Sequence, residues 1–255
     1  MHKIVLIIST CFMLVACKEM AGTNLGSVGG VDVGSAMGAA SKLGEAATLT
    51  DEEVKSSAKQ MRTYEEASVE KVAPASDKHA ARLEKLVSKY KNYDGLDLNY
   101  KVYVSDEVNA NATADGSVRV YSGLMDMMTD DELLFVIGHE VGHVKLGHTI
   151  KGQRAALALS GVKEGASAAG GVAGQIAGSQ LGGLLEAVLN AQYSQSQETD
   201  SDDYGLVLLK SSGHNAKSPA SALRKLAELS GGKHSMLSSH PDPQKRAERI
   251  ATAAQ

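Results

Sequence analysis

The sequence of 255 residues has no tryptophan, two phenylalanines and two cysteines, and its charges nearly balance, with 26 Lys and Arg against 30 Asp and Glu. So few aromatic side chains and a formal net charge of −4 provide neither stacking platforms nor a general attraction to phosphate, so nucleic acid is not an expected partner. Two cysteines exclude a disulfide scaffold. The chain is nevertheless 43% apolar, which is typical of a globular protein.

The N-terminal 16 residues have the pattern of a secretory signal peptide, with an apolar run shorter than the roughly 20 residues that a membrane-spanning helix needs. Leu14-Val15-Ala16-Cys17 resembles a bacterial lipobox. We therefore expect residues 1–16 to be a lipoprotein signal peptide and the acyl chains on Cys17 to anchor the mature protein in a membrane. The alternative is a plain signal peptide with a cysteine at this position by chance. Lys18 after the cysteine favours, by resemblance to enterobacterial lipoproteins, the bacterial outer membrane.

Residues 17–47 begin with the lipidated Cys17 and are rich in Gly, Ala and Ser, with almost no large apolar side chains. Such a segment cannot bury enough surface to fold, so we expect a flexible tether. Residues 48–255 are predicted to form the folded domain. Helices are predicted at about 50–72, 76–91, 129–146, 184–211, 219–230 and 241–253, and strands at 98–104 and 118–121. This pattern predicts an α+β domain, mostly helical with a small β-sheet.

The most informative residues are His139-Glu140-Val141-Gly142-His143, which lie in the predicted helix 129–146. Two histidines four residues apart lie on one helix face, so both imidazoles can bind one Zn²⁺ ion. Glu140 is placed to take a proton from water activated by that ion. The alternative is a buried helix that carries two histidines by chance, but a carboxylate is costly to bury without a partner. The motif therefore predicts one zinc ion per chain, with Glu140 as general base.

A third protein ligand must come from elsewhere, because a catalytic zinc has three protein ligands and one open position. Glu198 and Asp202 are spaced i, i+4, so Glu198 could bind the metal while Asp202 accepts a hydrogen bond from a ligating histidine. Asp200 is the rival ligand, and a solvated acidic stretch is the structural alternative. His148 is interpreted as a surface residue or as a group that orients a ligand.

The chain from about Thr50 to Ile250 resembles the minigluzincin-type, HtpX-like zinc metallopeptidases. The resemblance rests on the Tyr100–Val104 strand, Val120-Tyr121-Ser122-Gly123-Leu124-Met125, Ile137–His143 followed by Gly147-His148, Glu198-x-x-x-Asp202, and His240-Pro241 followed by Arg246. It implies a zincin-like (gluzincin) fold and a zinc endopeptidase, with His139, His143 and Glu198 as ligands and Glu140 as catalytic base. The family usually has Asn-Ala-aromatic-Ala before the second strand, whereas this chain has Asn111 in the aromatic position.

His240 is our candidate for a catalytic donor to the oxyanion, held by the stiff step to Pro241. Arg246 would then anchor that loop or pair with a carboxylate. Alternatively, His240 binds zinc as a fourth ligand and keeps the enzyme latent, or it is a surface histidine before a helix.

Two further segments bear on how a substrate would bind. The Ala/Gly-rich residues 155–185 are predicted to form a mobile lid or a helical hairpin over the cleft, and the alternative is a tightly packed helical pair. Residues 118–121 are predicted as an exposed edge strand that binds extended peptides by strand addition.

Two classes of function fit these expectations. The first is an endopeptidase that degrades unfolded or misassembled envelope proteins. The second is a largely latent protease that acts as a periplasmic chaperone or assembly factor for outer-membrane proteins. The outer-membrane assembly machinery and other envelope proteases are the further partners that either class suggests.

Overall fold

A computed structural model describes residues 27–28, 31–32, 48–160, 176, 178–229 and 236–254. The chain divides into two units, Met1–Gly44 and Glu45–Gln255. In the first unit, β1 (Ser27–Val28) and β2 (Val31–Asp32) form a short antiparallel pair, which the sequence did not predict. The predicted signal peptide, Cys17 and most of the tether lie outside the described residues.

The second unit is mostly helical, as predicted. Its elements are α1 (Asp51–Ser68), α2 (Lys78–Val87) with a 3₁₀ turn (Ser88–Tyr90), β3 (Asn99–Tyr103), β4 (Ala110–Ala112), β5 (Ser117–Tyr121), α3 (Ser122–Met127), α4 (Asp130–Lys145), α5 (His148–Ser160), α6 (Gly178–Leu189), α7 (Gln195–Ser211), α8 (Ser218–Ala227), α9 (Met236–Ser239) and α10 (Pro243–Ala253). None of the helices in the described part of the chain has the length and apolarity needed to cross a bilayer.

The sheet corrects one prediction. Its strand order is β3-β5-β4, with β3 parallel and β4 antiparallel to β5. Residues 118–121 therefore lie in the central strand and are all buried, so the prediction of an exposed edge there is wrong. The free edge near the His139–His143 motif is β4, which the sequence did not predict because Ala-Asn-Ala is short and of low strand propensity.

The two faces of the sheet are packed differently, because side chains alternate along each strand. Val102, Ala110 and Val120 belong to the larger apolar core, together with residues of α4, α7, α8 and α10. Tyr103, Asn111 and Arg119 lie on the opposite face, where their side chains form hydrogen bonds with residues of α1. A second, smaller apolar core joins α1, α5 and α6.

The predicted helix 184–211 is two helices. Chain segment 190–194 separates α6 from α7. The Ser194 side chain accepts a hydrogen bond from the Gln197 N–H, and Gln197 Oε1 accepts one from the Ser194 N–H. This capping box starts α7 inside the segment that was predicted to be one continuous helix. Of the Ala/Gly-rich stretch, residues 155–160 belong to α5 and 178–185 to α6, and the lid prediction for 161–175 lies outside the described residues.

The C-terminal end of α1 also differs from prediction. The helix was expected to run to residue 72 but ends at Ser68, because Val72 forms an antiparallel bridge to Tyr103 at the end of β3. Its start is as expected, with Thr50 and Glu53 forming a capping box.

Candidate active site and metal centre

Helix α4 carries the first part of the site. Thr129 and Glu132 cap its N-terminus, and every residue from Glu132 to His143 is buried. The one-turn spacing directs both imidazoles to one side, so His139 Nε2 and His143 Nε2 lie 3.0 Å apart. The structure thus brings the two predicted histidines together in the interior of the domain.

Helix α7 crosses α4 at close range because small residues lie at the crossing. A Cβ built on Gly138 would lie 3.0 Å from the Cα of Gly205, and one on Gly142 would lie 3.1 Å from the Cα of Ser201. This approach places the carboxylate of Glu198 against both histidines. Its oxygens lie 3.2 Å from His143 Nε2 and 3.7 Å from His139 Nε2.

Asp200, the rival of Glu198, does not join this cluster. Its side chain is exposed, whereas Glu198 is 1% exposed. The difference follows from helical geometry, because a residue two positions after Glu198 points about 200° away around the helix axis.

Asp202 and Arg246 hold His139 in place. Asp202 Oδ1 lies 3.0 Å from His139 Nδ1, and Arg246 donates from Nε and Nη2 to the two Asp202 oxygens at 2.9 and 2.7 Å. Arg246 Nη1 also forms an ion pair with Glu198. Burial by itself would raise the pKa of Asp202, but the hydrogen bonds from Arg246 and His139 lower it to about 2. An ionised Asp202 accepts the His139 Nδ1–H and leaves Nε2 free to bind a metal.

His148 holds the second histidine in the corresponding way. Its Nδ1 lies 3.1 Å from His143 Nδ1, and the side chain is buried, so the interpretation of His148 as a surface residue is wrong. Because Gly147 adopts a positive φ of 73°, the chain turns back after α4 and returns His148 to the site. Spacing within one helix gave no sign of this contact.

Tyr193 is a further neighbour of the histidines, to which the sequence assigned no role. Its ring stacks on His143 with centroids 3.7 Å apart and an interplanar angle of 25°. Its N–H donates to the carbonyl of Ser239, which ties the segment before α7 to the residue preceding His240. Nothing in the sequence indicated the contact between Tyr193 and His143, because that contact depends on how the segments around Tyr193 and Ser239 pack together.

His240 is buried, so its interpretation as a surface histidine is wrong. Its Nδ1 lies 3.2 Å from His139 Nε2 and 3.0 Å from Glu198 Oε1, and its Nε2 lies 3.5 Å from Glu140 Oε1. These contacts are compatible with both remaining roles, a donor to the reacting carbonyl oxygen and a fourth metal ligand.

The donor set fits a zinc ion. His139, His143, Glu198 and His240 each offer one ligand atom, and all four atoms lie within 4.8 Å of one another. Two ligand atoms that each lie about 2.1 Å from one tetrahedral ion are about 3.4 Å apart. The distances among His139 Nε2, His143 Nε2 and the Glu198 oxygens are 3.0–3.7 Å, which agrees with that value. Burial lowers the pKa of His143 to about 2, which keeps this imidazole neutral as a metal ligand must be.

Glu140 lies beside this cluster, and one of its carboxylate oxygens accepts no hydrogen bond from the described residues. Its Oε1 is buried and has no hydrogen-bond partner among the described residues, and burial raises the pKa of its carboxyl group. A cavity runs from Glu140 and His240 along the free edge of β4. A carboxylate, a cluster of metal-ligand atoms and a strand edge therefore meet in one cleft.

This combination agrees with the comparison to known proteins. A model of peptidase family M48 matches residues 77–254, which include every residue of the cluster. The chain belongs to peptidase family M48. M48 enzymes are zinc metallopeptidases, so this chain is a zinc metalloendopeptidase with a zincin-like fold, as the resemblance implied.

Named relatives cover most of the chain. Metalloprotease LoiP of Escherichia coli (strain K12) is 40% identical over 244 residues, which cover 95% of this chain and 92% of LoiP. Metalloprotease YcaL of the same organism is 40% identical over 223 residues, 87% of each chain. Mitochondrial metalloendopeptidase OMA1 of Arabidopsis thaliana is 29% identical over 161 residues, 61% of this chain and 32% of that protein.

Proposed function

We propose that this M48 peptidase cleaves unfolded or misassembled envelope proteins, with His139, His143 and Glu198 as zinc ligands and Glu140 as general base. The observation that carries the proposal is the buried Glu140 carboxylate beside three ligand atoms at zinc spacing. Its Oε1 accepts no hydrogen bond from the described residues and lies 3.5 Å from His240 Nε2. His139, His143 and Glu198 would hold the zinc ion, which would supply a Lewis acid to polarise the scissile carbonyl and to lower the pKa of water. Glu140 takes the proton from the attacking water and delivers it to the leaving amine.

Free backbone groups on β4 provide a place for an extended substrate. The Thr113 N–H donates to Ser117 and the Tyr121 N–H donates to Asn109, so the odd-numbered residues face β5. The N–H and C=O groups of Ala110 and Ala112 therefore point to the opposite side, along the cleft. A strand that pairs there needs no particular sequence for its backbone hydrogen bonds, which suits unfolded substrates.

His240 and Arg246 complete the proposed machinery. His240 donates a hydrogen bond to the carbonyl oxygen as negative charge develops on it, and Arg246 positions His139 and Glu198 through its contacts with Asp202 and Glu198.

The contacts of His240 also favour the second candidate function. With Nδ1 3.0 Å from Glu198 Oε1 and 3.2 Å from His139 Nε2, His240 is placed to fill the open metal position. An enzyme closed in this way would be largely latent and would act as a chaperone or assembly factor for outer-membrane proteins.

Cleavage of casein by the full-length mature protein, Glu140→Gln and His240→Ala tests both functions. The proposal predicts that Glu140→Gln binds as much zinc as the wild type but cleaves about 10²–10⁴-fold more slowly. His240→Ala should be slower by about 10²–10³-fold if His240 stabilises the oxyanion. Faster cleavage by His240→Ala would support latency instead. Equal cleavage by Glu140→Gln would reject Glu140 as the base.

We also propose that Cys17 carries the lipid that anchors the protein in the outer membrane, where it meets envelope substrates, assembly machinery and other proteases. The lipobox-like Leu14–Cys17 segment supports this location. Cys17→Ser should abolish incorporation of a labelled fatty acid and release the protein from membranes. Cys11→Ser is the matched control, because Cys11 would be removed with the signal peptide, and it should leave labelling unchanged. Labelling that persists in Cys17→Ser would reject the anchor.

A further inference from the structure

The cavity along β4 has a polar wall that the catalytic chemistry does not use. Arg62 of α1 and Asn111 of β4 line it together with Thr113, opposite Glu140, and Leu185 and Val188 of α6 form an apolar side. Arg62 is 3% exposed, so its guanidinium is held inside the domain and next to the proposed substrate strand.

Among the described residues, two hydrogen-bond donors in this wall have no acceptor. Arg62 Nη2 donates to Asn111 Oδ1 at 2.8 Å. Because a guanidinium has only donors, Asn111 must turn its oxygen towards Arg62 and its Nδ2 away from it. Asn111 Nδ2 and Arg62 Nε are both buried, and neither has a hydrogen-bond partner within the described part of the chain. Buried donors usually have an acceptor, and the carbonyl oxygen of a substrate side chain in this cavity can supply one.

The register of strand addition identifies which substrate residue reaches these donors. A side chain directly opposite Asn111 on a paired strand points to the same sheet face as Asn111. That face is the one covered by α1, as the contact between Asn111 and Arg62 shows. The substrate residue opposite Asn111 therefore places its side chain against both free donors.

The charges around the wall select among acceptors. Arg62 forms an ion pair with Glu65, whose Oε2 also accepts from the Tyr103 hydroxyl. The positive charge is therefore already balanced, and Glu140 lies across the same cavity. A carboxylate would add a second negative charge near Glu140, whereas a carboxamide offers an acceptor oxygen without charge.

We propose that Arg62 and Asn111 form a specificity subsite for the carboxamide side chain of a substrate glutamine or asparagine opposite Asn111. The subsite rests on the proposed function, since it requires a substrate strand paired with β4. It makes an otherwise sequence-tolerant peptidase selective at one position.

The test is the set of bonds that the full-length, zinc-loaded enzyme cleaves in denatured casein, read by mass spectrometry. The wild type should show glutamine and asparagine enriched at one fixed position relative to the cleaved bond. For two peptides that differ only at that position, the peptide with Gln should have a kcat/KM about 10-fold higher than the peptide with Leu. This factor corresponds to the loss of one hydrogen bond.

Asn111→Asp is the decisive variant because it has the same shape and still accepts from Arg62. It replaces one of the two free donors with an acceptor, so the 10-fold Gln-over-Leu ratio in kcat/KM should fall towards one. Asn111→Leu should lose the preference as well. Asn99→Leu, at the opposite edge of the sheet, is the matched control and should retain it.

The outcomes separate this subsite from the proposed function. Cleavage without any Gln or Asn enrichment, or enrichment that survives in Asn111→Asp, overturns the subsite and leaves the peptidase intact. Enrichment of Glu and Asp overturns the carboxamide assignment. Failure of the wild type to cleave any bond would instead overturn the substrate-binding function on which the subsite rests.

Discussion

At the residue scale, each of the two histidines on α4 has its second ring nitrogen occupied by a buried partner. Asp202 Oδ1 lies 3.0 Å from Nδ1 of His139, and His148 Nδ1 lies 3.1 Å from Nδ1 of His143. Such contacts set the ring orientation and the tautomer, so that Nε2 would face the proposed zinc ion. The two imidazoles are thus held in the geometry that zinc requires by different kinds of partner, one charged and one neutral.

The contact of His148 leads to a prediction about metal affinity. His148→Ala should weaken zinc binding about 10–100-fold, because His143 loses the partner that orients its ring. His148→Gln, which retains an acceptor oxygen, should recover part of that loss. Competition with a zinc-binding dye measures both affinities.

His79→Ala is a suitable control for that measurement. His79 contacts Asp126 far from the metal cluster in sequence, and its replacement should leave zinc affinity unchanged. Wild-type affinity in His148→Ala would show that His143 is oriented without His148.

At the element scale, the crossing of α4 and α7 determines where Glu198 lies relative to His139. The Cα of Gly205 would lie 3.0 Å from a Cβ on Gly138, so an added methyl group must move backbone rather than a flexible side chain. A small displacement at the crossing is transmitted to the carboxylate because helices move as rigid units.

Gly138→Ala should therefore lower the free energy of unfolding by about 1–3 kcal/mol and weaken zinc binding. Gly152→Ala on α5 is the matched control, since a Cβ there has nothing within 4 Å. That change should be neutral or stabilising by up to about 1 kcal/mol, because alanine favours helix more than glycine. Urea unfolding and zinc content measure both effects, and equal behaviour of the two variants would contradict the close crossing.

The N-terminus of α4 is held by a buried carboxylate. Glu132 closes the capping box with Thr129, accepts from Ser221 at 2.6 Å and pairs with Lys225 at 2.7 Å, both on α8. Burial by itself would raise the pKa of Glu132, but the hydrogen bonds from Lys225 and Ser221 lower it to about 2. The ionised group thus links the zinc-binding helix to α8.

This lowered pKa predicts a pH dependence of stability. A carboxyl group with a depressed folded-state pKa stabilises the fold above its unfolded pKa of about 4.3, and that contribution disappears as the pH falls towards 2. Glu132→Gln should therefore be less stable than the wild type by about 2–3 kcal/mol at pH 7, with the difference shrinking below pH 5. Urea unfolding of both proteins at several pH values measures it. If the difference in unfolding free energy between the two proteins did not change with pH, the stabilising role of the ionised Glu132 would be contradicted.

At the scale of the whole molecule, the residues of the site were more predictable than the sheet that lies beside them. His139, Glu140 and His143 share one helix, so spacing alone placed them together, and the i, i+4 relation did the same for Glu198 and Asp202. The capping box of Thr129 and Glu132 located the start of α4 correctly. These signals are local, and the structure preserves them.

What the sequence did not reveal depends on contacts between distant segments. The three residues of β4 are too few, and alanine has too low a strand propensity, for their alternation to predict a strand that pairs with β5. The break before Ser194 lay within one predicted helix, because the capping box that starts α7 was not recognised. The contact of Tyr193 with His143 depends on packing between segments that are distant in sequence. Long-range packing therefore decided which strand edge faces the cleft.

The central claim is that α4 and α7 together form one zinc site, with Glu198 as the third protein ligand. Its most direct test is the zinc content of the wild type, Glu198→Gln and Asp200→Asn at the same buffered free zinc concentration. Asp200→Asn is the control, because Asp200 is an exposed carboxylate on the same helix as Glu198 but outside the cluster of metal-ligand atoms. We predict about one zinc per chain in the wild type and in Asp200→Asn, and less than about a tenth of that in Glu198→Gln. Full zinc in Glu198→Gln, or its loss in Asp200→Asn, would contradict this assignment.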